Sequence, residues 1–337
     1  MKKSLTIIPD QTNWVTSWEC SALCEILKKL NISFKLSRFS FNSFIYFPDK
    51  YEFIKKSQIY SYLFNLAICD YYHGDPTISP EFTPLLIQLK RKQDYLTRVR
   101  VSHSGIHRLL LEEGFGDKVF RIPIGIELDW FPFQTPQLKS EVRKELGIPE
   151  SAVVIGSFQK DGNGWGEGME PKLIKGPDLF LETLALLKRH VAELFVLLTG
   201  PSRGYVKTGL EKLKIPYRHH FLQHYPKIGR YFLALDAYLI TSREEGGPKA
   251  VLESMGSGVR LISTPVGQGQ DLIQTGVNGW LACSHNPEEL ANLTLEALQR
   301  TNVTNILLNG RQTAEKNTYS NQQELWSEFF RPMLDQS

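Results

Sequence analysis

The sequence predicts an α/β protein made of two doubly wound, Rossmann-like units in succession. Three observations carry that expectation. Short apolar runs rich in β-branched and aromatic residues recur without polar alternation, as strands covered on both faces require. Stretches of helical spacing separate those runs in strict alternation, and each step between parallel strands needs such a crossover. Between the two series lies "FPFQTPQLKSEVRKELGIPE", whose Pro132, Pro136 and Pro149 mark it as a connection.

The second series is the clearer. Its strands fall at "AVVIGSF" (152–158), "ELFVLLTG" (193–200), "HHFLQ" (219–223), "AYLIT" (237–241) and "VRLIST" (259–264). Helices fit "GPDLFLETLALLKRH", "GYVKTGLEKLK", "YPKIGRYFLALD" and the stretch from Pro248 to Met255. The first series is shorter, with strands at Leu5–Ile8, Ser33–Leu36, Leu66–Tyr71, Val99–Ser102 and Val119–Ile122 and helices near 15–30, 80–92 and 104–113. The expected division is 1–135 and 136–318, followed by a final helix in 319–337 where Leu325, Trp326, Phe329, Phe330 and Met333 recur at helical spacing. Ligands of such sheets bind beyond the carboxyl ends of the strands. The candidate ligand loops are therefore 159–175, 200–204, 223–225, 241–248 and 264–271, and two successive units would face each other across a cleft.

Composition narrows the class. The chain has 337 residues, 42% hydrophobic and 22% charged, as a soluble globular protein does. Its net charge of +3 sits in the first part, where residues 1–135 hold 17 Lys and Arg against 14 Asp and Glu, too small an excess for a nucleic-acid partner. Cys20, Cys24, Cys69 and Cys283 lack zinc spacing and read as buried free thiols, which suits a reducing cytoplasm. "MKKSLTIIPDQTNW" reads as a first strand and not a signal peptide, and no run approaches the roughly 20 apolar residues of a membrane span. A cytoplasmic chain follows, at most peripheral at the inner face of a membrane. The stretch that raises peripheral contact is "QLKRKQDYLTRVR", with Lys90, Arg91, Lys92, Arg98 and Arg100; a solvated basic face is the competing reading.

The most informative stretch is "SREEGGPKAVLESMGSG", which sets Glu245 and Glu253 on either side of Gly246, Gly247 and Pro248. Pro248 suits a first helical turn, and the two glycines allow a tight entrance. Ala250, Val251, Leu252 and Met255 then cover most of the helix, so Glu253 needs either a protein donor or ligand hydroxyls. Leaning toward the helix N-terminus, it would point at the Gly-Gly entrance, where free amides favour an anion. An anion seat with a hydroxyl acceptor on each side suits a nucleoside diphosphate sugar. Two solvated glutamates with chance spacing are the plain alternative.

Taken in order, "VSHSGIHRLLLEEGF", "VFRIPIGIELDWFPF", "RKELGIP", "VVIGSFQK", "IKGPDLFLETLALL", "FVLLTGP", "LDAYLITSREEGGPKAVLESMGSGV" and "RLISTPVGQGQDLIQTGVNGWLA" resemble the retaining glycosyltransferases of family 4, which have the GT-B fold. The resemblance covers most of the second unit and the end of the first. It implies sugar transfer from a nucleoside diphosphate sugar to a hydroxyl of a carbohydrate, lipid-linked or protein acceptor, with retained anomeric configuration, no cofactor and no essential metal. Carried over, it puts Glu245 at the donor sugar, Glu253 at the ribose hydroxyls, Lys175 of "IKGPD" at the diphosphate, and Lys160 of "SFQKDG" near a second basic position that is usually Arg. Base contacts fall on backbone around Gly200 and after Phe221. His73 of "CDYYHGDP" ends a strand where the family similarly places a His beside the reacting sugar, a structural strand-end His being the alternative; His103 reads as a residue of a helix entrance.

Two stretches depart from the family. "DGNGWGEGMEP", Asp161 to Pro171, is longer than the usual loop, and its alternate glycines open no helix, so a dinucleotide fingerprint fails on context. It is expected to be either a mobile flap with Trp165 available to cover a sugar or base, or a plain surface loop. After the first strand, "PDQTNWVTSWE" lacks the family's glycines, leaving Asn13, Trp14 and Trp18 as candidate acceptor-side residues. Other readings of the whole are a sugar-nucleotide or sugar-phosphate enzyme of another reaction type, an epimerase or phosphorylase, and a non-catalytic nucleotide-sugar binding subunit.

Overall fold

The computed structural model describes residues 5–9, 15–61 and 66–334. Among these, twelve strands form two six-stranded sheets in which every pairing is parallel. The first sheet holds β1 (Leu5–Ile7), β2 (Phe34–Leu36), β3 (Phe44–Phe47), β4 (Leu66–Asp70), β5 (Leu96–Val101) and β6 (Val119–Arg121), in the order β2-β1-β3-β4-β5-β6. The second holds β7 (Val153–Phe158), β8 (Leu194–Thr199), β9 (Tyr217–His220), β10 (Ala237–Ile240), β11 (Arg260–Ser263) and β12 (Trp280–Leu281), in the order β12-β11-β10-β7-β8-β9. The chain divides into two compact units, Met1–Gly125 with Tyr319–Ser337, and Ile126–Thr318.

Strand burial follows from the pleat. Phe44 and Tyr46 of β3 join the core on one face of the first sheet, while Ile45 and Phe47 join the other. In β8, Phe195 and Leu197 enter one core and Leu194, Val196 and Leu198 the opposite one. Both sheets are thus covered on both faces, which is why their strands read as unbroken apolar runs.

Several elements differ from the sequence expectation. β3 and the helix Lys50–Ser61 were not anticipated; the strand is four residues long beside the polar run "SFNS", and the helix has little amphipathic character. β12 has only two residues and reads as loop. β9 lies two residues earlier than expected, because its ladder with β8 ends where His220 meets Thr199, leaving Phe221 exposed. The break between units falls at Gly125 and Ile126, ahead of the expected 135. Ile126 and Phe131 lie in the second unit's core, and Gln134 donates to the carbonyls of Leu233 and Leu235 at 2.9 Å each. The proline-marked segment is therefore packed, and is not a loose linker.

The basic stretch of the first unit divides on folding. Arg100 is buried: it donates to Tyr72 Oη (2.6 Å), Ile122 O and Pro123 O, and lies 3.6 Å from Glu19 and 3.7 Å from Asp70. Burial raises the Asp70 carboxyl to about 6 against the pull of Arg100 and of hydrogen bonds from Tyr46 and Tyr72. Lys90 pairs with Glu113, Lys92 donates to Ile54 O, and Arg98 donates to Asp117 O. Of the five basic residues in this stretch only Arg100 leaves the surface, while Lys90 and Arg91 remain exposed.

Two further features of the first unit matter below. Phe34 of β2 and Phe44 of β3 both pair with Leu5 of β1, from opposite sides. The chain must therefore return from the end of β2 to the start of β3 through residues 37–43, a strap far shorter than the helical crossover usual between parallel strands. The second feature is the helix Gln323–Leu334, whose Trp326, Phe329 and Phe330 are buried against Leu5, Ile7, Ile26 and Tyr46. Trp326 stacks on Phe330 at 5.8 Å and carries the Arg100 guanidinium over its ring at 4.5 Å. The Cys residues split: Cys69 is buried, Cys20 and Cys24 are half-buried, and Cys283 is exposed, contrary to the expectation of four buried thiols, because it lies in the loop after β12.

Phe329→Ala should leave a cavity in this shared core and lower the first unit's unfolding free energy by about 3–5 kcal/mol, read by urea denaturation of the whole chain.

Candidate functional site

The site in the second unit is assembled from the turns that follow β7 and β10, which are neighbours in the sheet. Gly176 makes the first of these turns. It has φ +62°, and a Cβ there would lie 1.9 Å from Thr241 O, so only glycine lets the two turns touch. Contact then spreads outward. Thr241 Oγ1 donates to Gly176 O at 2.9 Å, Arg243 N–H donates to Ile174 O at 2.8 Å, and the Arg243 guanidinium holds both oxygens of Asp178 at 2.8 and 2.7 Å. Beyond Gly176 the helix Pro177–Leu187 starts with Pro at its first turn, where a missing N–H costs nothing.

Lys175 and Glu245 meet across this junction, the ammonium donating to Glu245 Oε1. Ser242 Oγ donates to the same oxygen at 3.0 Å, and Gln159 Nε2 donates to Lys175 O at 3.1 Å. Both charges keep partial solvent access, with 23% of the Lys175 side chain and 16% of Glu245 exposed, so an anion or a hydroxyl can still reach them.

Glu253 is differently placed. The helix carrying it runs Ala250–Gly256, two residues later than expected at its start, and Val251 to Gly256 are all buried, as the apolar pattern predicts. Its carboxylate is only 4% exposed and accepts from Tyr225 Oη. The partner found is a tyrosine hydroxyl. Burial raises its pKa to about 7, opposed by the Tyr225 hydrogen bond and the Lys249 charge. Tyr238, whose hydroxyl accepts from Phe158 N at 2.8 Å, feels the charges of both Glu253 and Glu245, and its pKa is raised chiefly by burial. Gly246 and Pro248 are buried and Gly247 half-buried; the carbonyls of Glu245 and Gly246 leave no room for a side chain at Gly267, which has φ +51°.

Arg203 organises the floor. It is buried and donates through Nη1 to Ser157 O (2.7 Å), Gln159 O (2.8 Å) and Thr199 O (2.8 Å), joining the ends of β7 and β8. Its Nε lies 3.0 Å from Asp161 Oδ1, at ion-pair distance but off the hydrogen-bonding direction. Burial raises the Asp161 pKa while Arg203 pulls it down. Gly200 has φ +88° beside Gln159 O, and its carbonyl accepts from His219 Nε2 at 2.7 Å.

The glycine-rich loop is internally hydrogen-bonded and packed against Ser202. Gly162 bridges Pro171, Asn163 N–H donates to Glu170 O (2.9 Å), and Ser202 Oγ donates to Gly166 O (2.9 Å). Gly204 and Tyr205 amides bond the carbonyls of Glu167 and Gly168. A Cβ on Gly162 or Gly168 would lie 2.4 or 2.2 Å from Ser202 O, so these two glycines serve close packing. Trp165 rides outside, 66% exposed, with Lys160 Nζ 4.1 Å from its ring centre.

Residues 170–317 match the family Glycosyl transferases group 1. That region contains Lys175, Gly200, Glu245 and Glu253. Over 156 residues the chain is 26% identical to the lipopolysaccharide core biosynthesis mannosyltransferase LpsB of Rhizobium meliloti, covering 44% of this chain and 42% of that protein. A D-inositol 3-phosphate glycosyltransferase of Xylanimonas cellulosilytica is 26% identical over 183 residues, 51% of this chain and 40% of the relative. The match thus spans about two fifths of these curated relatives' length. Among solved structures, Anabaena Alr3699/HepE in complex with UDP and glucose superposes with a TM-score of 0.76 at 15% identity, covering 98% of this chain and 100% of the other. A glycosyltransferase of Rickettsia africae gives 0.71 at 16% identity, each chain fully covered. The fold is the GT-B fold of these structures, one parallel α/β unit followed by another.

The second unit therefore brings Lys175 to Glu245, sets Lys160 on Trp165 and encloses Glu253. His73 and Trp18 belong to the first unit. His73 follows β4 with its ring edge-on to Phe82 at 5.8 Å, and its carbonyl accepts from Lys50 Nζ. Trp18 is half-buried in the helix Val15–Lys29; Asn13 and Trp14 lie outside the described residues. Sequence reasoning missed Arg203, Asp161, Ser242 and Tyr225. Only Ser242, three residues before Glu245, offered a signal; a lone Arg at a helix start reads as solvated.

Glu253 links the site to pH. Its raised folded pKa means the native chain holds a proton that the unfolded chain, near 4.5, has released, so its contribution is complete below about 4.5 and is lost as pH rises through about 7. Glu253→Gln should remove that loss, gaining on the order of 3 kcal/mol on the wild type between pH 4.5 and 8 in parallel urea titrations. Identical pH profiles would show Glu253 to be ionised and solvated.

Proposed function

We propose that this chain is a glycosyltransferase that moves a sugar from a nucleoside diphosphate sugar to an acceptor hydroxyl, with retention of configuration and without a metal ion. The observation that most supports the reading is the Lys175–Glu245 pair, held at the carboxyl ends of adjacent strands within the region that matches Glycosyl transferases group 1. A lysine ammonium beside the N-terminus of the helix Pro177–Leu187 offers charge and dipole to one anion. Glu245, held by Ser242 as well as Lys175, offers an oxygen to a sugar hydroxyl. Glu253 would accept from the ribose hydroxyls in place of Tyr225, and Lys160 would add a second, unforked cation.

In this reading Lys175 stabilises the charge that develops on the departing diphosphate, the step in which preorganised charge contributes most. The leaving phosphate oxygen takes the acceptor proton on the same face, so no protein base is required. The HepE structures contain UDP and UDP-glucose, and the relatives are named for lipopolysaccharide core and inositol phosphate glycosylation. Uridine nucleotide sugars are accordingly the first donors to assay, and polysaccharide or lipid-linked acceptors the first to offer.

The test is incubation with UDP-, GDP- and ADP-sugars, with and without a chelator, following nucleoside diphosphate release and the anomeric configuration of the product. Lys175→Ala and Glu245→Ala should each lower turnover by about 100-fold or more while the fold, read by circular dichroism, persists. Full activity in both variants would remove the site; activity abolished by the chelator, or an inverted product, would remove the corresponding part of the mechanism.

A further inference from the structure

We propose that Trp165 is a stacking platform for a pyranose ring of the acceptor, held out beside the Lys175–Glu245 pair by the loop 161–171. The loop leaves the end of β7 and returns to Lys175. Gln159 Nε2 donates to Lys175 O at 3.1 Å, and Lys172 N–H donates to Asp161 O at 2.8 Å. Between these ties Trp165 stands 66% exposed. The carbonyls of the residues on either side of it, Gly164 and Gly166, both accept from Ser202 Oγ, at 3.2 and 2.9 Å, so one hydroxyl fixes the backbone under the indole. The same two glycines leave the ring uncrowded. A Cβ on either would meet no heavy atom of the described residues within 4 Å, and Gly164 has φ +68°, which glycine adopts without strain. Lys160 Nζ lies 4.1 Å from the ring centre, within the range of a cation–π contact, and gives the indole a preferred orientation.

The surroundings of the indole choose a sugar as its occupant. A pyranose turns one face of C–H bonds, polarised by the neighbouring oxygens, toward the negative face of an aromatic ring, and its hydroxyls point outward around the rim. Asn163, Glu167 and Glu170 are exposed in the same loop and supply an amide and two carboxylates, the groups that exchange hydrogen bonds with hydroxyls. The fully exposed charges of the loop are both carboxylates, whereas Lys160 and Lys172 are half-buried, so an anionic leaflet or a free phosphate meets like charge there. Met169, the loop's other exposed apolar side chain, is laid against Gly204, where a Cβ would come within 2.7 Å of its sulfur. What remains is one indole face, the area of a single sugar ring and far below the roughly 800 Å² per partner of a stable protein interface. That this sugar belongs to the acceptor rests on the transfer reaction proposed above; stacking on Trp165 does not require it.

Fluorotryptophan labelling of the whole chain gives a fluorine NMR signal for each of its six tryptophans, and the one lost in Trp165→Phe is that of Trp165. Titration with methyl β-glucopyranoside and methyl α-mannopyranoside tests the platform, with mannitol as the open-chain control and UDP as the nucleotide control. The Trp165 signal is expected to move with a pyranoside and to stay in place with mannitol. In a transfer assay, Trp165→Ala should raise the acceptor KM about tenfold while kcat and the affinity for UDP are unchanged, and Trp165→Phe should recover most of the loss. A Trp165 signal that ignores both pyranosides, answers mannitol equally, answers UDP alone or moves with protein concentration would overturn the proposal, as would an unchanged acceptor KM in Trp165→Ala. A pyranoside response in a chain that transfers no sugar would leave the stacking platform standing and remove the reaction instead.

Discussion

The contact on which the second unit's chemistry depends is steric before it is electrostatic: the turn at Gly176 lies so close to Thr241 O that a single added carbon would sit 1.9 Å from that oxygen. β7 and β10 already pair in the sheet, and this approach brings the turn ahead of the helix Pro177–Leu187 against the end of β10. Once they touch, the Arg243–Asp178 fork, the Thr241 hydroxyl and the amide of Arg243 hold them, and Lys175 and Glu245 are placed without freedom to drift apart. Rigid strands and a glycine turn supply the precision that loops alone lack.

Each unit also uses a buried arginine to tie together the carboxyl ends of its strands. In the first, Arg100 reaches the carbonyls of Ile122 and Pro123 and the hydroxyl of Tyr72, with Glu19 and Asp70 balancing its charge. In the second, Arg203 takes three carbonyls from the ends of β7 and β8 and their turns, with Asp161 at its side. A guanidinium offers five donors in a fixed plane, so it can satisfy several converging carbonyls that a lysine could not. Removing either would strand buried acceptors and a buried carboxylate together, which makes these residues conditions for the shape of the strand ends more than agents of chemistry.

Where the chain departs from a regular alternation of strand and helix, it does so with closed, braced segments. The loop 161–171 spends two glycines on packing against Ser202, and the strap 37–43 spends two serines on anchoring to Thr6. In both, the inward residues are small and satisfied while an aromatic side chain is turned out: Trp165 in one, Phe39 and Phe41 in the other. A backbone anchored in this way lowers the entropy lost when an exposed ring meets a partner.

Local sequence was enough to establish the parallel α/β class, because strands covered on both faces must be apolar throughout and parallel steps must be bridged. It was enough also to single out Glu245 and Glu253, since two acids around Gly-Gly-Pro are legible in one dimension, whereas Lys175 stood out only through the family resemblance. What it could not reveal depended on neighbours distant in the chain. β3 is a strand because β1 and β4 flank it, Arg100 is buried because Asp70, Glu19 and Trp326 close over it, and Glu253 meets Tyr225 twenty-eight residues away. The charge state of such groups is decided by burial, and burial is a property of the packed fold: a carboxyl that is ordinary in the sequence acquires a pKa of about 7 only when side chains from other elements exclude water from it.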